Sequence, residues 1–95
     1  MTETNQGEPA AQKPIVFTQH ARDRCRDRGA TESDVVAAIR NGKREPAQRG
    51  LWLFRMNVEY QRQWGGAWYA VQQVAPVVDE QPNRFVVVTV YTFYF

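Results

Sequence analysis

The chain has 95 residues, of which 43% are hydrophobic, 13% aromatic and 23% charged, with a formal net charge of +2. That suffices for one small domain and excludes a multidomain enzyme or a nucleotide-cofactor fold. The longest apolar runs, Val35 to Ile39 and Ala67 to Val71, are far short of the ~18 residues that a membrane-spanning helix needs.

A single cysteine and a single histidine also exclude a disulfide framework and a His/Cys zinc site. No charged segment leads into an apolar one at the start, so a secretory leader is not expected. The expectation is a cytoplasmic protein, or one delivered into a target cell's cytoplasm, with no membrane association and no metal or other cofactor.

In chain order, residues 1–14 are rich in Thr, Asn, Gln, Gly, Glu and Pro without an apolar period, and read as a tail. Residues 15–95 form the single domain. Ile15-Val16-Phe17 is a short apolar lead-in, and Thr18 is a good N-cap. Gln19 to Arg28 lacks Gly, Pro and β-branched residues, and Gly29 supplies the stop, which predicts a first helix. Thr31-Glu32-Ser33-Asp34 has capping-box spacing, with Asp34 in place of Glu at N3. Val35, Val36, Ala38 and Ile39 then recur at helical spacing up to Gly42, predicting a second helix.

After Gly42 the period changes to two. Trp52, Phe54, Met56 and Val58 alternate with Leu53, Arg55 and Asn57 as a strand, and Gly65-Gly66 is a hairpin tip. Ala67 to Val74, extended toward Val78, is the next strand, and Asp79 to Asn83 is a turn. Arg84 to Phe95 is the strongest strand, apolar on both faces and therefore expected at the centre of the sheet. The fold class expected is α+β, with two N-terminal helices packed on a three- to four-stranded antiparallel sheet.

Charge is unevenly placed. Residues 1–12 hold Glu3 and Glu8 and no base, and between His20 and Arg49 eight bases oppose five acids. Ten of the twelve bases are arginine, whose planar fork suits phosphate or carboxylate. On the first helix, His20, Arg24 and Arg28 are four apart and share one ridge, beside a packing ridge of Ala21 and Cys25. In the last strand, Thr89 and Tyr91 are two apart and would share a face with Val87 and Phe93. Their hydroxyls need partners in an apolar strand, and a polar pocket between them and the His20 ridge would supply some. The bland alternatives are a surface His20, arginines paired with Asp23 or Asp27, a locally bonded Thr89 and a wet Tyr91 hydroxyl. Cys25 reads as a buried small residue. Trp52, Trp64, Trp68, Tyr60 and Tyr69 suit either stacking on bases or packing in the core and rim.

Phe17-Thr18-Gln19-His20-Ala21, Arg24, Arg28-Gly29, Thr31-Glu32-Ser33-Asp34-Val35 and, near the end, Val87-Val88-Thr89-Val90-Tyr91 resemble a widespread small bacterial domain family of uncharacterised function. Cys25 stands where that family has Met or Leu, and Ala30 where it has Ile or Val. The stretch from Val74 to Pro82 is longer than expected. The family looks like a member of the barnase–EndoU–colicin–RelE ribonuclease fold, which includes many toxins of toxin–antitoxin pairs. The resemblance implies metal-independent cleavage of RNA by attack of a ribose 2′-OH. The catalytic candidates are His20, Arg24, Arg28, Thr89 and Tyr91, and Arg22, Lys43, Arg44 and Arg49 are candidates for holding RNA. A cognate antitoxin or immunity protein would then be a partner. The alternatives are a non-catalytic RNA- or protein-binding module, or an immunity or inhibitor protein.

Overall fold

The computed structural model describes residues 13–95, so the expected tail lies outside the described residues up to residue 12. The order of elements is β1 (Ile15–Phe17), α1 (Gln19–Arg28), α2 (Glu32–Asn41), β2 (Lys43–Pro46), a 3₁₀ turn (Gln48–Gly50), β3 (Trp52–Trp64), β4 (Ala67–Gln81) and β5 (Arg84–Tyr94). The five strands make one sheet in the order β1-β5-β4-β3-β2. Both helices form where their caps predict. The Thr18 hydroxyl accepts from the Ala21 N–H at 3.0 Å, and the Thr31 hydroxyl from the Asp34 N–H at 3.0 Å, each cap being worth about 1 kcal/mol. The helices cover one sheet face. Ala21, Cys25, Val35 and Ile39 pack there with Phe54, Val74, Val78, Phe85, Val87 and Val90.

The sheet is larger than expected, five strands and mixed rather than three or four and antiparallel. β1 pairs parallel with β5, Ile15 opposite Phe85 and Phe17 opposite Val87. Three residues carry too little alternation to announce a strand. β2, Lys-Arg-Glu-Pro, is exposed throughout and pairs through its backbone with β3. Its charges and its proline suit an outer edge, where a strand must not recruit another chain. The turn expected over Asp79 to Asn83 shrinks to Pro82-Asn83, because β4 continues to Gln81, paired with Arg84. β4 is thus the central strand. β5 lies next to the edge, covered by β1 only at its start.

One irregularity decides what β5 presents. Val78 pairs with Val87 but Val77 pairs with Thr89, so Val88 is an extra residue, a β-bulge. Before it, Phe85 and Val87 are buried toward the helices; after it, Val90 is. Thr89, Tyr91 and Phe93 therefore turn to the sheet face that no helix covers. They share that face with one another, as expected, but not with Val87. Pro76 sits beside the bulge, opposite Val90. The β3–β4 ladder skips from Leu53–Val77 to Met56–Val74 at the same level, where proline has no N–H to donate.

Lys13 and Pro14 are tied to the sheet. The Lys13 ammonium donates to Glu80 at 3.0 Å and to the Gln81 carbonyl at 2.8 Å, and the Pro14 carbonyl accepts from the Phe85 N–H.

Candidate functional site

Thr18 staples the start of α1 to the bulge, its N–H donating to the Val87 carbonyl at 3.1 Å and its hydroxyl to the Val88 carbonyl at 3.5 Å. Two residues on, His20 is exposed, and its Nε2 lies 3.3 Å from the Thr89 hydroxyl. β1 has ended by this level, so the outer edge of β5 meets α1 instead of a strand. Arg28, two turns along the helix, donates from Nη1 to the Val90 edge carbonyl at 2.8 Å. Its guanidinium carbon is 5.0 Å from the Tyr91 ring centre, within cation–π range. His20, Thr89, Arg28 and Tyr91 thus meet around one open strand edge. Arg24, between the two on the same ridge, bonds Asp27 at 2.8 Å, the paired alternative for this arginine. Its buried Nε has no partner among the described residues.

Arg28 is fixed from behind by residues that the sequence did not single out. Carbonyls at the end of α1 are left without helical partners. The Thr92 hydroxyl donates to the Arg28 carbonyl at 3.0 Å, and the Tyr94 hydroxyl donates to the same oxygen. Gln72, 2% exposed, donates to the Gly29 carbonyl at 2.9 Å. Trp64 stacks on Tyr94 at 5.5 Å, and Tyr60 and Tyr69 pack around that ring. These aromatics are therefore structural. The glutamine pair Gln72-Gln73 between Val71 and Val74 was the signal available for this arrangement.

Thr89 and Tyr91 also line an open hollow of about 490 Å³ on the uncovered face, with Leu53, Val77 and Val88 on its sheet side and the loop from Pro46 to Leu51 opposite. Arg49 belongs to that loop wall and holds φ 61°, a left-handed conformation that costs a non-glycine residue about 1 kcal/mol or more. The other basic candidates do not join it. Arg22 lies 3.9 Å from Glu32. Arg44 pairs with Glu80 at 2.9 Å, its guanidinium carbon 4.1 Å from the Trp52 ring centre. Lys43 is exposed on β2, opposite Arg55. Burial pushes the Cys25 thiol up from its ordinary pKa, which makes it a poor nucleophile.

A family model described as a domain of unknown function, DUF4258, matches residues 17–92. The chain belongs to that family. The DUF4258 match spans Phe17, both helices and the sheet as far as Thr92, so every candidate site residue falls within it. No curated protein matches the chain, and no solved structure does. Among the described residues, no helix is long and apolar enough to cross a membrane.

Proposed function

We propose that this domain is a metal-independent endoribonuclease of the toxin type. The observation that supports the reading best is the His20–Thr89 contact of 3.3 Å beside Arg28, at the mouth of a hollow that Arg49 also lines. An exposed imidazole is suited to general base or acid work. In the proposed reaction His20 takes the proton of a ribose 2′-OH, whose oxygen attacks the neighbouring phosphorus. The P–O5′ bond breaks, the leaving oxygen takes a proton from solvent, and the products are a 2′,3′-cyclic phosphate and a 5′-OH. Arg28 has one donor spent on Val90, and its remaining donors, with Arg24, would offset charge on the phosphorane. The Thr89 hydroxyl and Tyr91 would hold a phosphate oxygen or the attacking hydroxyl. Arg49 at the hollow, with Arg22, Lys43 and Arg44 farther off, would contribute to RNA attraction at longer range. An acidic antitoxin or immunity protein that covers the Arg28–Arg49 face would silence such an enzyme.

The test is incubation with total RNA in EDTA, beside His20→Ala. We expect the variant to lose at least about a hundredfold in cleavage rate while its melting temperature stays within about 2 °C, since an exposed side chain contributes little to stability. Loss of fold together with activity would withdraw support from the assignment of His20. A non-catalytic RNA-binding module is the second reading, favoured by Arg24 being bound to Asp27. It predicts that His20→Ala leaves RNA affinity unchanged and that Arg28→Glu abolishes it.

A further inference from the structure

The face of the sheet opposite the helices carries a row of partly exposed aromatic rings. Beyond the bulge the outward positions of β5 are Thr89, Tyr91, Phe93 and, continuing the strand, Phe95, whose N–H and carbonyl still pair with Val71. Tyr91 is 45% exposed, Phe93 42% and Phe95 64%. A row of exposed rings this long is unusual on a protein that needs no partner. Cations accompany it. Arg28 lies against Tyr91, and the Arg55 guanidinium carbon is 5.7 Å from the Phe93 ring centre. Arg55 is held there by Gln73 at 2.9 Å and Glu45 at 3.4 Å.

We propose that Tyr91, Phe93 and Phe95, with Arg28 and Arg55, form a track that binds single-stranded RNA and leads its bases to the His20–Thr89 end. The inference rests on the ribonuclease reading for what lies at that end, and on the rings and arginines for the track itself. Rings stack on any base, and neighbouring guanidiniums neutralise the phosphates between bases, the combination that sequence-tolerant single-strand binders use. The spacing selects the strand state. Alternate side chains on a β-strand are ~6.8 Å apart, twice the ~3.4 Å rise per nucleotide along a duplex strand, so successive rings accept splayed bases and not a stacked helix. A protein partner would use the apolar rings but has no general need for a guanidinium beside each of two of them, which is why charge favours RNA.

The experiment is fluorescence anisotropy with a labelled 2′-O-methyl RNA dodecamer, which lacks the free 2′-OH and so cannot be cleaved by this route, and with the same strand in a duplex. The single strand is expected to bind at least tenfold more tightly than the duplex. Phe93→Ala is expected to weaken single-strand binding about tenfold, Phe93→Tyr to restore it, and Phe93→Leu, which keeps apolar area but removes the ring, to behave like alanine. If Phe93→Ala fails to fold, Arg55→Gln provides the reading through a salt dependence shallower by about one contact. Equal binding of single strand and duplex, or no effect of either variant, would overturn the track. Self-association through the face without RNA binding would overturn it too. Tight, Phe93-dependent binding with no cleavage of unmodified RNA would leave the track standing and remove the nuclease.

Discussion

Gly29 shows how tightly individual residues constrain the candidate site. It ends α1 at φ 77°, and an added Cβ would lie 2.7 Å from the Tyr94 hydroxyl oxygen and 2.8 Å from Trp64 Cζ3. The left-handed backbone alone costs a residue with a side chain about 1–2 kcal/mol, and the ring cluster has to move as well. Gly29→Ala should therefore lower the melting temperature by about 10 °C or more, on the usual ~4–8 °C per kcal/mol for a domain of this size. Gly65→Ala is the control: φ is 61° there, but nothing lies within 4 Å of the added Cβ. Calorimetry of both variants checks this, and equal shifts would show that the contact with Trp64 and Tyr94 contributes nothing. The same cluster holds the Arg28 carbonyl, so the residue that stops the helix also sets where its last guanidinium rests.

Among the elements, the two outermost strands depend on ion pairs that bind them to β4. Glu80 receives Lys13 at 3.0 Å and Arg44 at 2.9 Å. The hydrogen bond from Lys13, aided by Arg44, holds its carboxyl below the usual carboxylate range against the opposing effect of burial. A carboxyl depressed in the folded state stabilises above its unfolded value, ~4.3 for glutamate, and that stability is lost as pH falls through the folded value. Melting temperature measured from about pH 6 to about pH 3 should therefore fall more steeply in wild type than in Glu80→Gln, the two curves converging at the acid end. Parallel curves would show that the pair contributes no pH dependence. Asp23, held low by Gln19 and then by Arg26, remains in both proteins.

The same edge marks the limit of what the sequence reveals. The helices were legible because caps act locally: Thr18, Gly29 and Thr31 each declare a boundary within four residues. The long strands were legible from alternation around Trp52 to Val58 and from Gly65-Gly66. β1 and β2 were not, since three apolar residues and a Lys-Arg-Glu-Pro run become strands only by borrowing a neighbour's hydrogen bonds. His20, Thr89, Arg28 and Tyr91 were individually visible and do lie together. Their meeting depends on the bulge, and Val-Val-Val-Thr-Val contains no glycine or proline to mark one. The same hidden irregularity concealed Phe93 and Phe95, which regular alternation from a buried Val87 would have turned inward.

For the molecule as a whole, that extra valine makes length matter more than composition. Substituting one valine for an isoleucine in β5 changes packing by a methylene, whereas adding or removing one residue moves the whole downstream strand to the opposite face. In a chain that drifts by substitution, the two sides of β5 after Val88 change slowly and separately. A single-codon insertion or deletion would exchange them in one step, sending Tyr91 and Phe93 into the core and Val90 and Thr92 into water. An alanine inserted between Val87 and Val88 should abolish the cooperative melt, while a glycine inserted between Gly65 and Gly66 should leave it intact, because the tip has open space around it. Near-UV circular dichroism and a thermal scan of the two insertions read this directly, and a native-like melt for the first would refute it. Descendants of this sequence are therefore expected to vary in length at the hairpin turns and to keep the residue count of the final strand fixed.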